Sequence, residues 1–179
     1  MNISLSNNSL SLREFRYDDW KSVHEYASQE IVSQYQAWGP NNETDSKMFV
    51  EKVIKDSRKT PRVRFAFAVI FEDKLIGTAE ISIRNFNHRN GEISYIINPN
   101  FWGRGFATDI AYLLIDFGFE HLALHRIYAT CNPRNIASTR VMEKVGMKKE
   151  GIMRECLLIK DGWRDSLLFS VLEYEWNLS

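Results

Sequence analysis

The sequence predicts an α/β (α+β) fold, a mixed sheet with helices on both faces, and three observations predict it. Runs of β-branched and aromatic residues alternate with amphipathic helical runs, in the order strand, helix, helix, three strands, helix, strand, helix and two closing strands. A strand at 92–98, a helix at 106–121 and a strand at 126–131 make a βαβ crossover, whose right-handed connection sets the helix N-terminus at the C-terminal edge of the sheet. The 179 residues, 44% of them hydrophobic, supply one core and leave little room for a second, so 1–179 reads as a single domain with its core at about 10–176.

Residues 10–17 alternate apolar and polar positions as a strand does, and Asp18 or Asp19 offers a cap for a helix to about Gln29. Capping residues at 41–46 precede Met48, Phe49, Val53 and Ile54, whose spacing predicts a second helix ending near Pro61. Between them, Tyr35-Gln36-Ala37-Trp38-Gly39-Pro40 reads as a loop whose aromatics serve either contact or packing. The runs 65–71 and 75–83, separated by Glu72-Asp73-Lys74, predict a hairpin, and Pro99 ends the third strand at 92–98. In the helix that follows, Ile110, Leu113, Leu114 and Phe117 form one face and Asp109, Tyr112, Asp116 and Glu120 the other. A strand at 126–131, a helix at 135–145 stopped by Gly146, and a hairpin of 157–163 and 167–176 around Asp161-Gly162 complete the chain.

Composition excludes several classes of function. Lys plus Arg equals Asp plus Glu at 23 each, so no global field favours nucleic acid or an anionic membrane. The N-terminal residues lack a signal-peptide pattern and no stretch is long enough to span a bilayer, so a cytoplasmic location is expected. Cys131 and Cys156 lack CxxC spacing and the four histidines form no cluster, so neither a disulfide framework nor a metal site is expected.

The most informative stretch is Asn98-Pro99-Asn100-Phe101-Trp102-Gly103-Arg104-Gly105-Phe106-Ala107-Thr108, which takes a strand into a helix through small residues. Glycines there permit positive φ and leave N–H groups free to face an anion, and the helix N-terminus adds its dipole. A dinucleotide fingerprint wants a third glycine, where Thr108 stands, and a Walker loop wants Gly-Lys-Ser/Thr, which is absent. A tight turn that merely caps a helix is the plain alternative.

The stretch 102–108 resembles the acyl-CoA pyrophosphate loop of GNAT-superfamily N-acetyltransferases, Gln/Arg-x-x-Gly-x-Gly/Ala, with Trp102 in place of Gln/Arg. Asn132-Pro133-x-Asn135-x-Ala137-Ser138, Glu143-Lys144-Val145-Gly146-Met147, and Arg154-Glu155 with Asp161-Gly162 and Asp165 resemble the RimJ/RimL-like branch, which acetylates protein N-termini and also contains enzymes acting on small amines. The resemblance implies the GNAT fold, with the strands at 92–98 and 126–131 splayed apart to admit pantetheine, and acetyl-CoA as cosubstrate without a metal. It implies that Trp102, Gly103, Arg104, Gly105, Phe106, Ala107 and Thr108 hold the diphosphate, that backbone groups of Ile96 and Ile97 pair with pantetheine, and that Asn135 and Ser138 face the coenzyme.

Acyl transfer to an amine needs a neutral nucleophile, a stabilised oxyanion and a proton for the leaving thiolate. Glu92 is the candidate base, through water, with Glu80 as runner-up. The plain alternative for Glu92, and the more frequent outcome for such a residue, is a solvent-facing carboxylate. Many relatives carry a tyrosine as the acid where this chain has Met142, so the resemblance passes that role to Ser138. Helix capping alone would also explain Asn135 and Ser138. Tyr35, Trp38, Arg154 and Trp163 are candidates for the acceptor site. No cysteine has the setting of a nucleophile, so direct transfer is expected. The expected acceptor is a protein N-terminal α-amine, the alternatives being a small amine or a non-catalytic acyl-CoA sensor. The aromatic hairpin around Trp163 permits a homodimer.

Overall fold

The computed structural model describes residues 3–7, 10–159 and 162–176. They form strands β1 (Ser4–Ser6), β2 (Ser11–Glu14), β3 (Arg64–Phe71), β4 (Lys74–Asn85), β5 (Asn90–Ile97), β6 (Arg126–Cys131), β7 (Lys148–Ile159) and β8 (Gly162–Leu172) in one sheet of order β1-β2-β3-β4-β5-β6-β8-β7. The helices are α1 (Trp20–Ala27), α2 (Glu30–Ser33), α3 (Glu43–Ser57), α4 (Phe106–Glu120), α5 (Ile136–Lys144) and α6 (Glu173–Trp176). No helix among the described residues is long and apolar enough to cross a membrane.

The sheet is buried on both faces at its centre, which is why β3 reads as an unbroken apolar run. Its alternation sends Phe65, Phe67 and Val69 into the core under α4, and Ala66 and Ala68 into a second core with Val23, Tyr26, Val50 and Val53 of α1 and α3. Helix α4 lies on β5 and β4, and at Gly118 it closes on side chains of β4 and β6 because that residue has none of its own. A Cβ there would sit 2.5 Å from Ile127 Cδ1 and 2.7 Å from Ile81 Cδ1.

The feature that makes a site is a gap. Strands β5 and β6 are the parallel pair in an otherwise antiparallel sheet, and they pair only at Asn90↔Arg126, Gly91↔Ile127 and Glu92↔Tyr128. Beyond Glu92 the strands part, as the resemblance implied, and the main-chain groups along the open edge of β5 have no strand partner.

Several boundaries differ from the sequence reading. Asp19 precedes α1 but makes no side-chain cap, because its carboxylate is taken by Arg13, at 2.7 and 2.8 Å, and by the Arg16 N–H. The second helix begins as expected, with Asn42 and Asp45 in a capping box. Strand β7 starts at Lys148 rather than near 157. Its first half is largely exposed, so it shows no apolar alternation and is formed by pairing with β8. The last strand stops at Leu172 instead of running to 176, because the Glu175 carboxylate reaches back to the Leu172 N–H and starts α6. Strand β1 and helix α2 were not foreseen. Asp161 of the expected Asp-Gly turn lies outside the described residues.

Candidate active site

Between β5 and α4 the chain makes the cradle read from sequence. Gly103 and Gly105 take φ of +75° and +85°, and Gly105 stands as the N-cap of α4. The N–H groups of Gly103, Arg104, Gly105, Phe106 and Ala107 donate to no acceptor among the described residues, while that of Thr108 is already bonded to the Gly105 carbonyl at 2.9 Å. A Cβ built at Gly103 or Gly105 meets nothing within 4 Å, so open space lies beside this row of donors. Phe106 puts its ring in the core and contributes only backbone, and the Arg104 guanidinium stacks over Phe101 at 5.2 Å. A groove of about 430 Å³ runs past these residues. The donors and the helix dipole fit a diphosphate.

The groove leads along the open edge of β5. The Asn98 N–H bonds to the Ile76 carbonyl, and the register is Gly77↔Ile97 and Thr78↔Ile96. Antiparallel alternation therefore commits the main chain of Ile96 to β4 and turns that of Tyr95 and Ile97 toward the gap. This corrects the expectation for Ile96. Of the Ile97 groups, the carbonyl is taken by the Trp102 indole N–H at 2.8 Å, so that Trp102 braces the loop against the strand. What faces the gap is the Tyr95 main chain and the Ile97 N–H.

At its inner end the groove meets a cavity of about 890 Å³. Tyr35, Gln36, Tyr95, Ile96, Asn135 and Ser138 line both. The two spaces therefore share a wall where the strands part. Asn135 caps α5, its Oδ1 accepting the Ser138 N–H at 3.1 Å, which leaves the Ser138 hydroxyl on the shared wall. Met142 is buried and lines the cavity. Opposite stands Tyr95, which the sequence reading missed. Its hydroxyl is buried without a hydrogen-bond partner among the described residues. Burial pushes the phenol up to about 12 against the pull of the neighbouring Ser138 hydroxyl, which lies near enough to lower it but outside hydrogen-bond geometry. The alternation of β5, 95 opposite in face to 92 and 94, was the available signal.

The carboxylates lie on the other face of the gap, each with an arginine. Glu92 Oε2 accepts from Arg84 Nη2 at 2.6 Å and Nε at 2.9 Å, and Oε1 receives a long 3.4 Å contact from Thr130 Oγ1. Glu80 accepts from Arg64 at 2.7 Å and from Ser82 at 3.0 Å. The expected loop 35–40 closes the cavity, with Tyr35 and Trp38 in its wall. Arg154 and Trp163 do not line it. Trp163 is 63% exposed, and pleating directs its neighbour Arg164 inward instead. Arg164 Nη1 donates to the Tyr35 carbonyl at 2.6 Å. Among the described residues no group of three His, Cys, Asp or Glu side chains is placed to hold a metal.

Comparison with known proteins bears on the fold. Residues 9–148 match the family model described as an acetyltransferase (GNAT) domain. The uncharacterized N-acetyltransferase YnaD of Bacillus subtilis is 38% identical over 168 residues, 94% of this chain and 96% of that protein. The crystal structure of a GNAT-family acetyltransferase from Bacillus anthracis superposes with a TM-score of 0.85 at 34% identity, covering 97% of this chain and 100% of the other. Spermidine N-acetyltransferase from Vibrio cholerae, solved in complex with CoA and spermine, gives a TM-score of 0.82 at 25% identity over 96% and 99% of the two chains.

Proposed function

This chain belongs to the acetyltransferase (GNAT) family and is an acetyl-CoA-dependent N-acetyltransferase, and from that premise we propose that it acetylates an α-amine, such as a protein N-terminus presents, by direct transfer with both substrates bound. The observation that carries this reading is the meeting of groove and cavity at Tyr95, Asn135 and Ser138, with free N–H donors at one end and paired carboxylates at the other.

In this reading the N–H groups of residues 103–107 hold the diphosphate, and the main chain of Tyr95 and Ile97 aligns the pantetheine arm along β5. Bound acetyl-CoA supplies the thioester. Ser138 donates its proton to the leaving thiolate and regains one from solvent, which in turn receives the amine proton from Glu92, and the buried Tyr95 hydroxyl supports Ser138 from behind, forming the hydrogen bond it lacks at rest when the serine turns to the sulfur. Glu92 takes the amine proton through water at Oε1, while Arg84 fixes its other oxygen.

The acceptor follows from the pairing of charges. Glu80 and Glu92 already face Arg64 and Arg84, so a polycation such as spermine finds few unpaired carboxylates in the wall. An α-amine with a pKa of ~8 is roughly a tenth neutral at pH 7, against well under a thousandth for a lysine near ~10.4, and so asks less of a base. Exposed Ile152, Met153, Leu158 and Trp163 on the β7–β8 hairpin suit a homodimer.

The test is thiol release from acetyl-CoA, with mass-spectrometric identification of the product, over a panel of N-terminal peptides, amino acids and polyamines. α-Amines are expected to turn over faster than spermidine. A preference for spermidine would refute the acceptor assignment, and tight acetyl-CoA binding with no thiol release from any amine would make the protein a sensor.

A further inference from the structure

Charges in the cavity wall are not evenly satisfied. Its carboxylates Glu80 and Glu92 pair with Arg64 and Arg84, and Arg64 also meets Asp56 at 3.2 Å. Asp45 is engaged as the capping acid of α3, accepting the Asn42 N–H at 3.0 Å. Lys52 and Arg164 also line the cavity, and neither has an ion-pair partner among the described residues. Arg164 is the more constrained of the two, because Nη1 is fixed on the Tyr35 carbonyl at 2.6 Å. Its Nε is buried with no partner, and Nη2 makes no hydrogen bond.

Nε and Nη2 form one straight edge of the guanidinium, the edge that matches the two oxygens of a carboxylate. A buried donor without an acceptor costs free energy that the fold does not recover, and Arg164 is a lining residue of the cavity, where a ligand would supply the acceptor. The bond to Tyr35 also holds the guanidinium in place beforehand, which reduces the ordering cost of binding.

We propose that Arg164 is an anion-recognition residue of the acceptor cavity, and that the α-amine acceptor carries a carboxylate, as an amino acid or an acidic N-terminal residue does. The proposal rests on the α-amine reading above and narrows it. Lys52 adds a second positive charge to the same wall and favours the same sign of substrate.

The experiment compares matched acceptors: glutamyl against glutaminyl dipeptides, aspartyl against asparaginyl ones, and free glutamate against glutamine, the last pair separating free amino acids from peptides. Wild-type kcat/KM is expected to favour the acidic member by about tenfold or more, mostly through KM, as one charge-assisted pair implies. Arg164→Gln is expected to reduce that ratio to within about twofold, and Arg164→Lys, which keeps the charge without the fork, to leave only part of it. Acetyl-CoA binding measured by calorimetry is expected to persist in both variants, reporting an intact fold. Equal rates for acidic and neutral partners in the wild type would overturn the proposal. So would an equal loss on both in Arg164→Gln, since the residue would then only fasten the Tyr35 loop. If no amine released thiol, the transfer reading would fail by itself. Calorimetry of N-acetylglutamate against N-acetylglutamine on the CoA-loaded protein would still decide the role of Arg164, supporting it if an acid preference vanished in Arg164→Gln and overturning it if there were none.

Discussion

Replacing Tyr95 with phenylalanine separates stability from catalysis in a way that few substitutions at this site can. The variant removes one oxygen from a place where it has no hydrogen-bond partner. An unmade hydrogen bond on a buried hydroxyl costs about 1–3 kcal/mol, and the nearby Ser138 hydroxyl relieves part of it, so deletion is expected to stabilise the fold by about 1 kcal/mol. For a chain of this size that raises Tm by roughly 2–4 °C. If the hydroxyl supports Ser138 as donor to the thiolate, kcat should fall by about 10- to 100-fold, below the full range of a lost general acid because the serine remains. The pair also predicts non-additivity, so that in a Ser138→Ala background the same change should cost less than about twofold. Because the phenol stands near 12, it stays protonated through the working range and adds no basic limb to the kcat profile below about pH 10. The assays are a thermal melt and thiol release at saturating substrates for the two single variants and the double. A melt lowered by 1 kcal/mol or more, an unchanged kcat, or strictly additive losses would each refute the reasoning.

Three further outcomes follow from the geometry. Gly105→Val should leave a folded domain, since a Cβ there meets nothing within 4 Å and its φ of +85° costs a non-glycine residue about 1–2 kcal/mol, yet calorimetry should show acetyl-CoA affinity reduced by about tenfold or more. Gly118→Ala places a methyl 2.5 Å from Ile127 Cδ1 and should destabilise by about 1–3 kcal/mol in urea titration, less what alanine gains in helix propensity. Glu150 accepts from Arg126 at 2.5 and 2.7 Å and from Ser170 at 2.5 Å, and these contacts hold its carboxyl below the usual range. A lowered folded value means that its contribution is complete above the unfolded value of 4.5 and is lost as pH falls through the folded one. Glu150→Gln should therefore flatten the acid side of the stability profile below pH 4.5 while changing stability near neutrality by at most about 1 kcal/mol, since the pair is partly exposed.

Much of the fold was legible because its cues are local. Asn42 and Asp45 announce α3, the apolar face from Ile110 to Phe117 announces α4, and Gly103 and Gly105 mark the cradle before any contact is known. The errors arose where local cues compete or fall silent. Asp19 is a good cap by type, but an arginine six residues earlier claims its carboxylate. The first half of β7 has no apolar face to show, and only the opposite strand gives it its form. Backbone parity at 95–97 depends on the register with β4, which a single strand does not carry.

The cavity wall was the least legible part, and for a physical reason. Sequence reading chooses residues by type, which favoured Trp163, whereas a strand chooses by parity, and a shift of one position exchanges an exposed indole for Arg164 at the cavity. The partner that fixes that arginine, Tyr35, lies 129 residues away in the chain. Overall charge is no better guide, since 23 basic and 23 acidic residues cancel. What gives the cavity its sign is which charges the fold has already matched: Glu80 with Arg64 and Glu92 with Arg84, but Arg164 with no carboxylate. On the proposal made for Arg164, a substrate is attracted by the charge left over from folding, and that charge depends on pairings between segments that the linear order keeps apart.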